Sequence, residues 1–429
     1  MDRFETYLRL PTLIGRAKYQ TFSYVKDQVW KKLQGWKGMM LSRAGKEVLI
    51  KAVAQSIPTY TMGVFQLPIK LCEELNSMCA KFWWGQVGNE RKIHWRSWDK
   101  LTIAKKKGGM GFRDLRAFNL AMLAKQGWRL MQEKESLFYK CFSARYFPRS
   151  HFLDAVESPN CSYVWRSIVA TLPILKAGCC WRVGDRSSIK IKIDRWIPNY
   201  PAHRVLHSAS VDVDVDDWFI SKLIDQDLHW WKRDLMSTIF HREDMDAICR
   251  IPLSRRQVGD SIFWVHIRNG GYSVKSGYHV ACEVLKHEGW AECSSGGDMQ
   301  QVWQALWKMR VPNKIKIFGW RVFHRILPTW FNLVKKKIIR ESVCPICTRL
   351  PENELHVFWE YPTAQDVGLG VGSKFRSATS ANTTWFSYFN TCLTDWTLTK
   401  WSCFLYKLRS FGIRETLFCM EVSSRNLVG

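Results

Sequence analysis

The chain has 429 residues, 14 cysteines, 23 tryptophans and a formal net charge of +26. That length allows two to four domains with sizeable cores, and no apolar run reaches the roughly 18 residues that a membrane span needs. Residues 1–150 hold 28 Lys+Arg against 11 Asp+Glu, an asymmetry that points to RNA or DNA held through the phosphate backbone, with a solvated basic face as the plainer reading.

From residue 23 to 41, Tyr24, Val25, Val29, Trp30, Leu33, Trp36 and Met40 recur every three to five positions, with Lys26, Lys31, Lys32 and Lys37 between them. This predicts a basic amphipathic helix broken near Gly35 or Gly38. Ser42 is the expected N-cap of a second helix over residues 43–56, which buries Val48, Leu49, Ala52 and Val53, turns Lys46 and Lys51 to the other face and stops at Pro58. A third helix, Ile69–Trp84, encloses Leu71, Leu75, Met78, Cys79 and Phe82 and ends at Gly85. His94, Trp95, Trp98 and the run Lys105-Lys106-Lys107-Gly108-Gly109 form a basic aromatic connector. The lysine triplet fits a solvated loop as well as a phosphate contact. Residues 115–130 return to helix around Phe118, Leu120, Leu123, Trp128 and Leu130.

The middle of the chain reads as mixed. Two hairpins are predicted, one around Gly184-Asp185-Arg186 between residues 180–183 and 189–193, the other around Asn269-Gly270-Gly271 between residues 261–266 and 271–274. Residues 211–250 reverse the charge, with ten acidic against five basic side chains. Their alternating Val-Asp start, residues 211–217, reads as an exposed edge or loop ahead of a carboxylate site. Residues 294–297 mark a boundary, and residues 302–309 and 314–326 predict basic, tryptophan-rich helices. Residues 368–384, rich in Gly, Ser and Thr, predict poor packing. Together these predict an α+β, mostly α chain in four segments: a helical basic 1–150, a mixed 151–297, a small zinc-type module at 298–367 and a divergent tail at 368–429.

The module carries Cys344-Pro345-Ile346-Cys347 and, nine residues on, His356. A Cys-x-x-Cys turn places two sulfurs about 2.3 Å from one ion, and a short loop brings an imidazole to a third tetrahedral vertex. Soft ligands of this kind favour zinc. The fourth position, five residues past the histidine, holds Tyr361, a poor substitute for a thiolate. Glu354, Glu360, Asp366 and Cys392 are candidates to complete the shell, and spacing selects none of them. A pair of reduced cysteines beside a surface histidine is the alternative. The other cysteines are scattered, and the charged stretch from Met1 to Leu10 has no apolar core, so reduced thiols and a nuclear or cytoplasmic, non-secreted protein are expected. No phosphate loop or other small-molecule site stands out, since Gly368, Gly370 and Gly372 lack a following Lys-Ser/Thr.

Several motifs share one source. Tyr7-Leu8-Arg9-Leu10-Pro11, Ile14-Gly15-Arg16, Leu33-Gln34-Gly35-Trp36, Leu41-Ser42-Arg43-Ala44-Gly45-Lys46, Phe82-Trp83-Trp84-Gly85 and Gly108-Gly109-Met110-Gly111-Phe112 resemble the region after the polymerase palm in plant non-LTR (LINE-type) retrotransposon reverse transcriptases. So does Asn119-Leu120-Ala121-Met122-Leu123. Gly271-Tyr272-Ser273-Val274-Lys275-Ser276-Gly277-Tyr278 and the run from Val311 to Phe318 resemble the lead-in to that family's zinc-binding domain. The resemblance runs in order over residues 7–367 and implies a thumb-like, post-palm first segment.

It implies little catalysis. Polymerases of this kind hold two metal ions on palm aspartates, and no aromatic-x-Asp-Asp motif precedes Tyr7. Asp216-Asp217 lacks both the aromatic and a partner aspartate, and neither an endonuclease nor a ribonuclease H counterpart is evident. The chain is therefore expected to be a non-enzymatic internal portion of a larger polyprotein that binds nucleic acid. Lys26, Lys31, Lys32, Lys37, Arg43, Lys46 and Lys51 would form the main phosphate-contacting surface, and Lys314, Lys316, Lys335, Lys336 and Lys337 a second one near the knuckle. In the family pattern Tyr361 replaces a cysteine, which marks the zinc set as degenerate. A protein-docking module built on tryptophan-rich surfaces is the second class of function, and the unselected product of a decayed element is a third.

Overall fold

The computed structural model describes residues 6–357 other than 37, 87–91, 185–188, 199, 207–217, 226–227, 229, 254–258, 288–296 and 355. Its principal elements are α1 (Lys18–Gly35), α2 (Arg43–Leu49), α3 (Ile69–Trp84), α4 (Leu115–Gln132), α5 (Tyr163–Val169), α6 (Leu172–Gly178), β1 (Cys179–Arg182), β2 (Ser261–Trp264), α7 (Val274–His287), α8 (Gly297–Lys308), α9 (Asn313–Phe323) and α10 (Trp330–Lys335). The fold is α+β and mostly α, with short antiparallel strand pairs. The chain divides into two units, each assembled from separated stretches: residues 1–25, 58–73 and 114–292 form one, and residues 26–57, 74–113 and 293–429 the other.

In the first unit α4 is the central element, packed by α5, α6 and α7. Asp114 caps it, its side chain accepting from Ala117 N at 3.0 Å, and Ala117, Ala121 and Ala124 lie fully buried along it. Buried Asn119 accepts from Leu67 N at 2.7 Å and donates to Met62 O and Phe65 O at 2.9 Å each. Three backbone groups of the 58–67 connection are thereby satisfied without water. Trp264 is completely buried, and its indole N–H reaches Ser276 Oγ at 2.9 Å. A second core gathers Ile189, Ile191, Trp196, Leu223, Met236 and Ile248.

Both expected hairpins are corrected. Cys179–Arg182 pairs with Ser261–Trp264, Cys179 opposite Trp264 and Arg182 opposite Ser261, so the partner lies about 80 residues away instead of across Gly184. Residues after Gly271 do not form a returning strand, because Val274 opens α7. Residues 185–186 and the Val-Asp run at 211–217 lie outside the described residues, as do residues 294–296 of the expected boundary and the tail after residue 357.

In the second unit α1 buries Val29 and Leu33, while Trp30 and Met40, expected inside, are 48% and 106% exposed. Gly35 ends that helix. Ser42 caps α2 as expected, accepting from Gly45 N at 3.2 Å. The face of α2 is inverted. Val48 is 55% exposed, whereas Glu47, Ile50, Ala54 and Gln55 are buried. Residues Ile50–Ala54 continue as one π-helical turn, in which Gln55 N bonds Ile50 O at 2.9 Å. The physical reason is a buried ionic cluster: Glu47 accepts from Lys51 Nζ at 2.6 Å and from Lys105 Nζ at 2.7 Å, and Lys51 also donates to Met110 O at 2.6 Å. Partners from residues 105–110 thus make a polar face the inner one.

Candidate metal centre and basic surfaces

The metal candidate is built by short-range chain reversals. An antiparallel bridge joins Val343 to Pro351, Cys344 N donates to Leu350 O at 2.8 Å and Thr348 N returns to Cys344 O at 2.8 Å. Thr348 sits at φ +56°, the left-handed corner that closes so tight a loop. Asn353 then caps a helical turn, its side chain accepting from His356 N at 2.8 Å, and this carries the imidazole back over the loop. The sulfurs of Cys344 and Cys347 and a ring nitrogen of His356 lie within 4.8 Å of one another, with Cys347 Sγ 3.4 Å from His356 Nε2.

Donors around a tetrahedral zinc, bound at about 2.0–2.3 Å, stand roughly 3.3–3.8 Å apart. The three groups therefore need only small movements to share one ion. Backbone N–H groups of Arg349 and Leu350 hold the Cys347 thiol down at about 7, so a thiolate is available at neutral pH. Burial raises Cys344 and pushes the nearby Glu352 carboxyl up to about 7.

Of the candidates for a fourth ligand, Glu354 faces elsewhere: its carboxylate accepts from Asn332 Nδ2 at 2.6 Å. Glu352 likewise accepts from Trp330 N at 3.3 Å. Both acids tie the metal loop to α10, which Thr329 caps. Tyr361, Glu360, Asp366 and Cys392 lie outside the described residues. The described cysteines are free thiols, and burial pushes Cys72 and Cys79 up to about 12, which makes them inert core residues.

The basic residues separate into three environments. Lys31, Lys32, Lys314, Lys335, Lys336 and Lys337 are exposed, with Lys335 Nζ 4.4 Å from the Phe331 ring centroid and Lys336 reaching His94 O at 3.4 Å. Lys26 pairs with Glu74 at 2.7 Å, and Lys316 donates to Trp307 O at 3.1 Å. Arg43, Lys46 and Lys51 are half-buried. Lys37 lies outside the described residues.

Sequence reasoning missed how the Lys105–Lys107 loop is held. Trp320 Nε1 and His324 Nε2 both approach Gly108 O, at 2.8 and 2.6 Å, and Gly108 at φ +87° leaves no room for a Cβ beside Trp303. The two glycines after the lysine triplet are the only sequence signal for this close approach.

The Cys344, Cys347 and His356 loop is a group that could hold a metal ion. Residues 272–367 match the family described as zinc-binding in reverse transcriptase. The chain is 28% identical over 396 residues to "Putative ribonuclease H protein At1g65750" of Arabidopsis thaliana, covering 90% of this chain and 60% of that protein. It is 40% identical over 143 residues to "Uncharacterized mitochondrial protein AtMg00310" of the same plant, covering 33% of this chain and 93% of that protein. The chain belongs to the plant retroelement family derived from reverse transcriptase. No helix among the described residues is long and apolar enough to cross a membrane.

Proposed function

We propose that this chain is a nucleic-acid-binding portion of a retroelement reverse transcriptase, with no polymerase or nuclease chemistry of its own and with zinc as the ion of its Cys344, Cys347 and His356 module. The supporting observation is the set of exposed lysines, Lys31, Lys32, Lys314, Lys335, Lys336 and Lys337, in the unit that also holds the module. Lysines of this kind contact phosphates without reading bases and displace condensed counterions. Anisotropy with a labelled RNA–DNA hybrid tests it. Affinity should fall steeply with salt, and joint Lys31→Glu and Lys32→Glu should remove about 1.8 from the log–log salt slope, since each phosphate contact contributes about 0.9. An unchanged slope and affinity would remove this surface from the reading. Primer extension and hybrid cleavage by the same preparation should stay at background. Metal analysis should give one zinc per chain, lost in Cys347→Ser.

A protein-docking role is favoured by one specific observation. Met39 and Met40, between α1 and α2, and Val48, on α2, are large apolar side chains 59%, 106% and 55% exposed. Association through them would persist or strengthen as salt rises, the opposite of phosphate binding.

A further inference from the structure

Arg43 on α2 and Arg321 on α9 belong to one unit, and their helices pack on each other. Among the described residues no carboxylate pairs with either one. Arg43 Nη1 donates to Trp83 O at 3.3 Å, and its guanidinium carbon lies 5.2 and 5.9 Å from the Trp84 and Trp83 ring centroids. Arg321 Nη2 makes a long 3.5 Å bond to Ile326 O. Three buried N–H groups near them reach no acceptor: Arg321 Nε, Trp83 Nε1 and Trp84 Nε1. Lys46, three residues along α2 from Arg43, holds its Nζ 5.5 Å from the Phe82 ring centroid.

Every unsatisfied atom here is a donor, and every charge is positive. Buried donors are normally matched, and each unmatched one costs about 1–3 kcal/mol. A water would accept from an N–H but would leave the two guanidinium charges uncompensated. An anion answers both needs. Desolvation lowers Arg43 to about 10 and Arg321 to about 9, with the Arg43 charge adding to the latter, which is the response of buried cations without a counter-charge. A carboxylate offers two acceptor oxygens. The donors here come from three elements and include two guanidinium forks, which suits a tetrahedral oxyanion with three or four oxygens.

We propose that Arg43, Lys46 and Arg321, with the indole N–H groups of Trp83 and Trp84, form a binding site for a phosphate group. The site rests on these donors alone and does not depend on the surface lysines.

The test uses the full chain and inorganic phosphate as the probe. In chloride buffer with about 10 mM phosphate added at matched ionic strength, the unfolding midpoint should rise by about 3 °C or more. Arg321→Met should be at least as stable as wild type without phosphate, because it removes an uncompensated buried charge, and should show no phosphate response. Lys46→Met, a milder change, should weaken the response while leaving the fold intact. Oligonucleotides with a 5′-phosphate or a 5′-hydroxyl separate the sources. A preference of about tenfold for the phosphorylated strand, lost in Arg321→Met, would assign a nucleic-acid terminus. Equal binding alongside a phosphate-raised midpoint would assign free phosphate. Joint Lys31→Glu and Lys32→Glu should leave the phosphate response unchanged, which separates this site from the surface reading. The proposal is overturned if phosphate acts no more than chloride, or if both Arg321→Met and Lys46→Met keep the full response.

Discussion

Helix α2 carries two partly or fully buried charges one turn apart, and their surroundings are opposite. Glu47 meets two ammonium groups within 2.7 Å. Arg43 meets carbonyl, indole faces and another guanidinium's field, without a carboxylate among the described residues. The first arrangement is self-sufficient: its carboxylate and lysines compensate each other inside the fold. The second is incomplete as the described residues stand. A buried charge with its partner present is therefore a structural device, and one without it is a candidate for a ligand.

The largest effect should come from breaking the compensated end. Glu47→Gln leaves Lys51 and Lys105 without their carboxylate, and breaking a buried pair in this way costs roughly 3–5 kcal/mol, readable as a lower urea midpoint. Gly108→Ala would push the Lys105 loop off its support, since the added Cβ would stand 2.8 Å from Trp303 Nε1 at a left-handed φ. The expected loss is about 2–3 kcal/mol, measured as a thermal shift. Both variants should leave phosphate binding at Arg43 unaltered wherever the chain remains folded.

The acid limb sharpens the comparison further. Burial, aided by the Arg96 charge, lowers His324 to about 3, and its neutral ring donates Nε2–H to Gly108 O. The folded state therefore resists protonation while the unfolded chain takes up a proton near 6.5. The stability is present in full above that value and is lost as pH falls from 6.5 toward 3. A drop from pH 7 to pH 5 should cost about 1–2 kcal/mol, and His324→Gln, which keeps an N–H donor, should flatten that slope. The smallest effect belongs to the cap. Ser42→Ala removes the bond to Gly45 N and should cost about 1 kcal/mol, loosening the Arg43 end of α2 without changing any charge; unchanged denaturation would mean Arg43 itself anchors the helix start.

Much of this was legible in order along the chain. Helix α3 spans the expected residues Ile69–Trp84 with Leu71, Leu75, Cys79 and Phe82 inside, because its apolar period is uninterrupted and Gly85 ends it at φ +83°. Helix α4 follows the expected stretch for the same reason. The metal trio was legible because its members lie within 13 positions and short loops leave the backbone few ways to arrange them. Arg321 was not, since the single arginine of α9 looks like a solvated position until α2 is placed against it.

By itself the sequence determined the helices with strong periodicity, the Ser42 cap, the Cys344-Cys347-His356 cluster and the family to which the chain belongs. Each of these depends on neighbours a few residues apart, whose geometry the backbone already constrains. Only the tertiary structure decided the inverted face of α2, the pairing of Cys179–Arg182 with Ser261–Trp264 and the packing of α2, which bears Arg43, against α9, which bears Arg321. Those outcomes depend on groups separated by about 60 to 280 positions, where loop-closure entropy grows slowly with separation and so favours no particular partner. Packing and charge compensation make that choice.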